Sequence, residues 1–280
     1  MSSVPLLQAA DVTYAYPAGP AALDGLTVDV IAGERLVILG GNGSGKSSLL
    51  LTLNGTYKPD SGAVMRRGEP LRWTRRARNE HRRSVGLVLQ DPDDQVFSAS
   101  VLEDVSFGPL NMGLTEADAR QRVHDVLDAL DLAAIAERPA HLLSYGQRKR
   151  VAIAGVAAMR PEVILLDEPF SGLDPLARVD VLAALEQLES QGTTVVLTTH
   201  DVDLAFAWSD RCVLLDAGRV VASGPPDDVL CDEEACRAAR LVPAPLASMV
   251  AVAVDRGWLP PAVAATVRTL GQLVDALRLG

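Results

Sequence analysis

A glycine-rich segment that ends in Lys and Ser carries the clearest chemistry in this sequence. It reads Gly-Gly-Asn-Gly-Ser-Gly-Lys-Ser over residues 40–47 and fits the pattern G-x-x-x-x-G-K-[ST] at every fixed position. The glycines let backbone N–H groups turn inward around phosphate oxygens. Lys46 should then reach the β- and γ-phosphates of a nucleoside triphosphate, and Ser47 should ligate Mg²⁺. The predicted phosphate-binding residues are Gly40, Asn42, Gly43, Ser44, Gly45, Lys46, Ser47 and Ser48.

Two neighbouring carboxylates supply the second chemical group. Asp167 and Glu168 follow an aliphatic run at 163–166, which is bounded by Pro161 and Pro169 and is typical of a strand buried on both faces. A carboxylate at the tip of such a strand suits Mg²⁺ coordination, and we assign this role to Asp167. Paired acids are common in solvated turns, but the aliphatic residues before them argue against a turn here.

The elements around these residues predict an α/β fold. Residues 35–39 form an apolar run of strand length and residues 48–53 are typical of a helix, so the order is strand, loop, helix. A glycine-rich turn that merely contains Lys would not need these flanks. Residues 23–31 predict an antiparallel strand, and residues 85–90 predict a further apolar strand. We expect a P-loop NTPase core, a mostly parallel sheet with helices on both faces, plus an N-terminal antiparallel β-subdomain.

A helical subdomain is expected before the acidic strand. Apolar residues recur at helical spacing within residues 115–132, with Thr115 as the N-cap. Ser144 is placed to cap a later helix, whose free N–H groups would form an anion site. An ordinary capped helix would also use Ser144, but we expect it to have no need of Gly146 and Gln147 behind it.

The order of these motifs resembles that of ATP-binding cassette (ABC) ATPases. A Ser-Tyr-Gly-Gln turn stands between the phosphate loop and the acidic strand, where that family has its signature sequence. The resemblance implies that Ser144, Gly146 and Gln147 contact the ATP held by a partner subunit. It also implies that Glu168 faces the γ-phosphate and polarises the attacking water. Tyr145 departs from the glycine that is commonest at its position.

Further segments match this family and extend the predicted site. The resemblance makes His200 the switch histidine at the γ-phosphate, and it places Asp174 in the D-loop at the subunit interface. Gln90 stands at the position of the Q-loop, which senses Mg²⁺ and nucleotide. Tyr16 matches the aromatic residue that stacks on adenine, with Tyr14 as its competitor. The predicted catalytic residues are Glu168, His200 and Gln90, and the predicted metal ligands are Ser47, Gln90 and Asp167.

More narrowly, the chain resembles the ATPase components of energy-coupling-factor (ECF) importers. The matching segments are residues 90–97, 101–109 and 149–155. The resemblance implies a homodimer, or a heterodimer with a second ABC ATPase. It implies a membrane T component, whose coupling helices enter a groove beside the Q-loop, and a substrate-binding membrane S component. Asp91, Asp93 and Asp94 are either docking carboxylates for those helices or turn-forming acids beside Pro92.

The function that this resemblance implies is ATP-driven import. ATP binding would close the ATPase pair and hydrolysis would reopen it, energising uptake of cobalt, nickel or a vitamin at the cytoplasmic face of the cell membrane. One alternative is a soluble ABC-type mechanical ATPase, for which we expect a long coiled-coil insertion or two cassettes. Another is a small-molecule kinase, which would leave residues 144–147 and His200 unexplained.

Composition and charge limit the remaining classes. The net charge of −10 argues against general nucleic-acid binding, which depends on Lys and Arg that neutralise many phosphates. Residues 66–83 are an exception with eight arginines. We interpret them as a solvated surface helix that carries counter-charges for acidic neighbours, rather than as a lipid or partner contact. No signal segment or membrane-spanning stretch is apparent, and the three cysteines lack metal-ligand spacing.

Two domains are expected along the chain. The ABC ATPase domain should cover residues 1–226, with the helical subdomain at about 91–160. A C-terminal extension should cover residues 227–280, where the sequence is Ala-rich and Thr269 is the expected cap of a helix. This extension resembles the one that helps ECF ATPases to pair. A small appendage packed on its own subunit is an equal alternative.

Overall fold

The computed structural model of the protein describes residues 4–17, 19–264 and 266–279. Its strands are, in chain order, β1 (Leu7–Ala15), β2 (Ala21–Val30), β3 (Leu36–Leu39), β4 (Ser61–Arg66), β5 (Glu69–Pro70), β6 (Val85–Val88), β7 (Val163–Leu166), β8 (Thr194–Thr199), β9 (Arg211–Asp216) and β10 (Arg219–Gly224). Its helices are α1 (Lys46–Leu53), α2 (Arg75–Ser84), α3 (Val101–Asn111), α4 (Glu116–Ala129), α5 (Tyr145–Ala157), α6 (Pro175–Ser190), α7 (Val202–Trp208), α8 (Pro226–Val229), α9 (Glu233–Ala238), α10 (Pro245–Asp255), α11 (Pro261–Ala264) and α12 (Leu270–Leu279).

The larger sheet brings the predicted motifs to one edge. Its strand order within the described ranges is β10-β9-β3-β8-β7-β6, with β10 antiparallel to β9 and the other neighbours parallel. Alternate residues of β3 and β7 enter two different hydrophobic clusters, because the sheet is covered on both faces. Since β3, β8 and β7 are parallel neighbours, the segments that follow them meet at the carboxyl edge. The predicted P-loop NTPase core is confirmed.

The smaller sheet covers one face of this core. Its order is β2-β1-β4-β5 in the part of the chain that the structure describes, and its strand pairs are antiparallel, as the sequence predicts. Buried residues of β1, β2 and β4 share a hydrophobic cluster with α1 and with β3. The helix that follows the phosphate loop is therefore held between the two sheets.

Along the chain, helices α3, α4 and α5 come between β6 and β7, and they form the inserted helical region. Thr115 caps α4, since its Oγ1 accepts a hydrogen bond from Asp118 N at 3.2 Å, as predicted. Ser100 caps α3 in the same way. Buried Val and Leu residues of α4 join the cluster that contains the apolar face of α5. This packing fixes the start of α5, where the Ser-Tyr-Gly-Gln turn stands.

The C-terminal helices have a small core of their own and also contact the ATPase core. The core consists of Ala253, Leu259, Val267 and Leu273. Thr269 accepts a hydrogen bond from Gln272 N at 3.2 Å, so it caps α12 as predicted. The end of α9 reaches the phosphate loop, because Gly41 N donates to Ala239 O at 3.1 Å. No helix within the described ranges is long and apolar enough to cross a membrane.

The arginine-rich segment differs from its sequence interpretation. Arg66 and Arg67 both pair with Glu162, at 3.0 and 2.6 Å. The remaining arginines have no carboxylate within 4.0 Å among the described residues; they are Arg72, Arg75, Arg76, Arg78, Arg82 and Arg83. Helix α2 is an exposed surface helix, as expected. The expectation that its arginines pair with acidic neighbours is wrong for this helix. The sequence could not reveal this, because ion pairing depends on which distant residues reach the helix.

A buried histidine in α2 gives a prediction for stability against pH. His81 Nε2 donates to Leu53 O at 2.7 Å. Burial lowers the pKa of His81 below its ordinary value of 6.5, against the opposing effect of the hydrogen bond to Leu53 O, and the charges of Arg66 and Arg82 lower this pKa further. Below pH 6.5 the unfolded chain therefore binds a proton at His81 more readily than the folded chain does, so stability falls as the pH drops through this window.

Urea denaturation at pH 7.5 and 5.5 measures this effect. We expect the free energy of unfolding to fall more for the wild-type protein than for His81→Gln, whose side-chain amide can donate to Leu53 O but does not titrate. An equal fall in both proteins would assign the acid sensitivity to other groups.

Candidate nucleotide-binding and catalytic site

The phosphate loop forms a cradle of closely packed backbone after β3. Gly45 has φ 107°, and a Cβ there would lie 2.6 Å from Ala22 O, so a side chain is excluded on two grounds. Gly40 also has a positive φ, and a Cβ there would collide with Leu215 O. The Oγ of Ser44 is buried and has no hydrogen-bond partner among the described residues. An unpaired hydroxyl in a glycine cradle fits an anionic ligand that can accept a hydrogen bond.

Lys46 lies over this loop and points towards the acidic strand. Its Nζ donates to Gly40 O at 2.7 Å and to Gly41 O at 3.3 Å. The same ammonium is 3.8 Å from Glu168 Oε1, and both side chains are about nine-tenths buried. The structure therefore brings the two predicted chemical groups together, although 122 positions separate Lys46 from Glu168 in the sequence (168 − 46).

Strand β8 fixes both acids at the end of β7. Thr198 Oγ1 donates to Asp167 Oδ1 at 2.6 Å and accepts from Glu168 N at 3.0 Å. Glu168 has φ 45°, a left-handed conformation that costs a non-glycine residue about 1–3 kcal/mol and persists only where its surroundings hold it. Thr198 is not predicted from the sequence, where the only signal for it is its place at the polar end of an apolar strand.

His200 completes the group around Glu168. Its Nδ1 lies 3.2 and 3.1 Å from the two carboxylate oxygens of Glu168. The Glu168 side chain thus stands between the ammonium of Lys46 and the imidazole of His200, and the imidazole is largely exposed. Such a carboxylate is oriented on two sides and can accept a proton from a bound water.

Gln90 is connected to Glu168 through a lysine that is not predicted from the sequence. The Gln90 side chain is exposed, and the main-chain carbonyl oxygen of Gln90 accepts a hydrogen bond from Lys149 Nζ. Lys149 lies on α5 with a fully buried side chain, and its Nζ also donates to Glu168 O at 3.2 Å. Burial lowers the pKa of Lys149 to about 8, against the opposing effect of nearby carboxylates. In the sequence, Lys149 is one of three consecutive basic residues, and nothing there marks it as the buried one.

The Ser-Tyr-Gly-Gln turn begins α5 with a reciprocal cap. Ser144 Oγ accepts from Gln147 N at 3.2 Å, and Gln147 Oε1 accepts from Ser144 N at 3.0 Å. The expectation that an ordinary cap does not need Gln147 is therefore wrong, because Gln147 is the second half of this cap. No hydrogen bond or ion pair among the described residues joins the turn to residues 40–47 of the same chain.

The segment at residues 172–177 packs against this turn. A Cβ on Gly146 would lie 3.0 Å from the Cβ of Ala177, and a Cβ on Gly172 would lie 3.2 Å from the ring of Tyr145. Asp174 caps α6, since its Oδ1 accepts from Ala177 N at 2.9 Å. The predicted site residues therefore form two groups, one around Lys46 and one around the start of α5.

Three tyrosine rings pack on one another, and one of them contacts the start of α1. Tyr14 stacks on Tyr57 with a ring distance of 4.8 Å and an angle of 11°. Tyr16 is 42% exposed, and its hydroxyl is 3.0 Å from Ser48 Oγ in α1. Because the faces of Tyr14 are partly covered by Tyr57, Tyr16 is the better placed of the two competitors to stack on a base.

A largely apolar groove of about 440 Å³ lies between α2, α3 and α5. Phe97 and Phe107 meet edge to face within it at 5.3 Å, and both are more than half exposed. Beside the groove, Asp93 pairs with Arg148 at 2.7 Å, and Asp91 Oδ1 accepts from Asp93 N at 3.0 Å. The Asp91 contact fits a turn-forming acid, whereas the Asp93 carboxylate pairs with Arg148 and is more than half exposed. The docking role of Asp91, Asp93 and Asp94 stays a prediction.

Known proteins match this sequence and fold. The family model described as ABC transporter matches residues 23–171. The cobalt import ATP-binding protein CbiO of Rhodobacter capsulatus is 54% identical over 228 residues, which are 81% of this chain and 81% of that protein. The energy-coupling factor transporter ATP-binding protein EcfA of Methanococcus maripaludis is 42% identical over 236 residues, covering 84% and 85%.

A solved structure agrees with these relatives. It is that of cbiO1 from Clostridium perfringens, described as part of the ABC transporter complex cbiONQ, and it is 40% identical with a TM-score of 0.76. The alignment covers 83% of this chain and 93% of that chain. One family accounts for the sequence matches, for the fold and for the grouping of Lys46, Asp167, Glu168 and His200. The chain therefore belongs to the ABC transporter family, as an ATP-binding cassette ATPase.

Proposed function

We propose that this chain is the ATP-hydrolysing subunit of an ECF-type importer, which energises uptake of cobalt, nickel or a vitamin. The observation that carries the proposal is the grouping of Lys46, Glu168 and His200 at one strand edge, together with an open apolar groove next to the Q-loop. Relatives named as cobalt import and energy-coupling-factor ATP-binding proteins support the choice of transport over the soluble mechanical alternative.

The phosphate loop would bind Mg-ATP. Its backbone cradle and the Ser44 hydroxyl, which has no partner in the described part of the chain, fit phosphate oxygens, and Tyr16 would stack on the adenine. Ser47, Gln90 and Asp167 would hold Mg²⁺. The hydrogen bond from Thr198 orients Asp167 through Oδ1 and leaves its other carboxylate oxygen without a hydrogen bond in the described part of the chain. Mg²⁺, when bound, neutralises charge on the phosphate oxygens.

Glu168 would accept the proton of the attacking water. The water oxygen forms a bond to the γ-phosphorus, the bond from that phosphorus to the bridging oxygen breaks, and ADP leaves with the electron pair. His200, which is oriented by the Glu168 carboxylate, would contact the γ-phosphate. Lys46 would exchange its contacts with loop carbonyls for contacts with phosphate oxygens.

The second half of each site would come from a partner subunit. In the described part of the chain, the turn at the start of α5 makes no hydrogen bond or ion pair with its own phosphate loop, and Ser144 is exposed at the helix N-terminus. Ser144 and Gly146 would face the partner's ATP, with Asp174 nearby in the D-loop and Gln147 supporting the turn. The partner is either a second copy of this chain or a related ABC ATPase.

The groove between α2, α3 and α5 would receive helices of a membrane T component. Exposed Phe97 and Phe107 offer the apolar surface that an inserted helix needs. Through this contact the ATPase would lie peripherally at the cytoplasmic face of the membrane, and an S component would bind the transported substrate. Nucleic acid is not among the proposed partners.

Co-purification tests the transport proposal. A tagged chain is expressed in its native host. Its complexes are purified from detergent-solubilised membranes and examined for a small polytopic protein that stays bound to the tagged chain. We expect Phe107→Asp to lose this protein while it retains ATP binding, because a charge in an apolar contact is costly to bury. Val221→Asp serves as the control, since Val221 is also exposed but lies on β10, at the opposite sheet edge from β6. Persistent absence of such a protein from the wild-type preparation would support the soluble mechanical ATPase instead.

A further inference from the structure

Lys149 has a position that the proposed mechanism does not use. It lies on the second turn of α5, its side chain is fully buried, and its Nζ donates hydrogen bonds to the carbonyl oxygens of Gln90 and Glu168. Gln90 follows β6 and Glu168 follows β7, so one ammonium joins the ends of two neighbouring strands. Lys149 is also only five positions after Ser144. One side chain therefore links α5, which begins with the signature turn at residues 144–147, to Gln90 of the Q-loop and to the catalytic acid Glu168.

The backbone of Glu168 shows why this link matters. With φ 45°, Glu168 is held in a conformation that a non-glycine residue rarely adopts. Thr198 Oγ1 accepts from its N–H, and Lys149 Nζ donates to its C=O. The peptide groups on both sides of Glu168 are thus each fixed by a side chain. Glu168 O also accepts a hydrogen bond from Ser171 N at 3.1 Å, so without the ammonium this carbonyl keeps a backbone donor and loses its side-chain donor. We expect the peptide, and the carboxylate with it, to be held less firmly.

A purely structural role does not explain why the residue at position 149 carries a buried charge. A buried ammonium is costly to desolvate, and an apolar side chain at this position would avoid that cost. The carboxylates of Asp167, Asp91 and Glu168 lie close enough to favour the charged form of Lys149. The ammonium is therefore suited to hold carbonyl groups at an acidic strand edge, where charge-assisted hydrogen bonds are strong.

We propose that Lys149 is a positioning residue, which holds Glu168 in its catalytic orientation and ties it to the signature helix of the same chain. This inference rests on the proposed role of Glu168 as general base. Because the signature of one chain would serve the partner's ATP, Lys149 connects the catalytic acid of one ATP site to the turn that completes the other.

Steady-state kinetics of Lys149→Met test the proposal. Methionine keeps the length and the apolar packing but removes both hydrogen bonds. We expect kcat to fall about 10- to 100-fold, because a small misplacement of a catalytic group is that costly, while ATP affinity stays at the wild-type value. Lys149→Arg, which can donate to both carbonyls, should recover part of the loss. Lys58→Met is the matched control, since Lys58 is exposed and makes no ion pair in the described ranges.

A double variant separates positioning from a general structural effect. If Lys149 acts through Glu168, Lys149→Met should cause no further loss of hydrolysis once Glu168→Gln is present. Additive losses, or a wild-type kcat for Lys149→Met, would overturn the proposal. Should Lys149→Met not fold by thermal melting, Lys149→Gln answers the same question by the same criteria, because its shorter neutral amide cannot replace both bonds. If these kinetic expectations fail while ATP binding is normal, only the positioning role of Lys149 is overturned, and the proposed ATPase function still stands.

Discussion

Glu168→Gln will lose about 10²- to 10⁴-fold in steady-state ATP hydrolysis, the range that a positioned general base contributes. Glutamine keeps the size of the side chain but cannot take a proton from water. ATP binding should persist, because the phosphate loop is unchanged and Lys46 loses a competing carboxylate at 3.8 Å. Phosphate release measures the hydrolysis, and equilibrium binding of labelled ATP measures the affinity.

The same variant should accumulate the closed dimer. Since ATP binding closes the pair and hydrolysis reopens it in the proposed mechanism, a slow hydrolysis step traps the ATP-bound state. Size-exclusion chromatography with ATP should show a dimer for Glu168→Gln at concentrations where the wild-type protein is monomeric. Glu186→Gln is the matched control, because Glu186 is exposed on α6 and makes no ion pair in the described ranges. Unchanged steady-state hydrolysis in Glu168→Gln would remove Glu168 from its role.

Gly146→Asp should abolish ATP-driven closure and reduce hydrolysis at least about 100-fold, because it sets a carboxylate against the partner's triphosphate at close range. Binding of ATP to the isolated chain should be unaffected, since the turn makes no hydrogen bond or ion pair with residues 40–47 in the described part of the chain. Gly146→Ala measures the steric contribution alone, because its Cβ would lie 3.0 Å from the Cβ of Ala177. A bulkier residue at Tyr145, such as Trp, should be tolerated.

Complementation makes this experiment sharper if the partner is a second copy of the chain. A dimer of one Gly146→Asp subunit and one Lys46→Ala subunit contains one site in which both halves are intact. Mixing two inactive variants should therefore restore part of the hydrolysis. Normal hydrolysis by Gly146→Asp alone would show that the shared-site mechanism fails for this chain.

The sequence alone determined the local machinery. The phosphate loop requires particular residue types at consecutive positions, so Gly45 and Lys46 could be identified without knowledge of their neighbours in space. The same holds for the caps, because Thr115 and Ser144 bond to backbone N–H groups only three residues away. Hydrophobic runs and their alternation with helices were enough to predict a mostly parallel sheet, since residues 163–166 needed cover on both faces.

The tertiary structure decided which distant groups meet. Strand order placed Thr198 beside Asp167 and Glu168. Helix packing brought Lys149 Nζ within hydrogen-bond distance of Gln90 O. No periodicity or spacing in the sequence relates these residues. The tertiary structure likewise decided that most arginines of residues 66–83 have no carboxylate partner among the residues that the structure describes. The physical reason is that hydrogen bonds and ion pairs act over a few ångströms in space. A local sequence pattern fixes the conformation of a segment, whereas packing of the sheet and helices fixes what surrounds it.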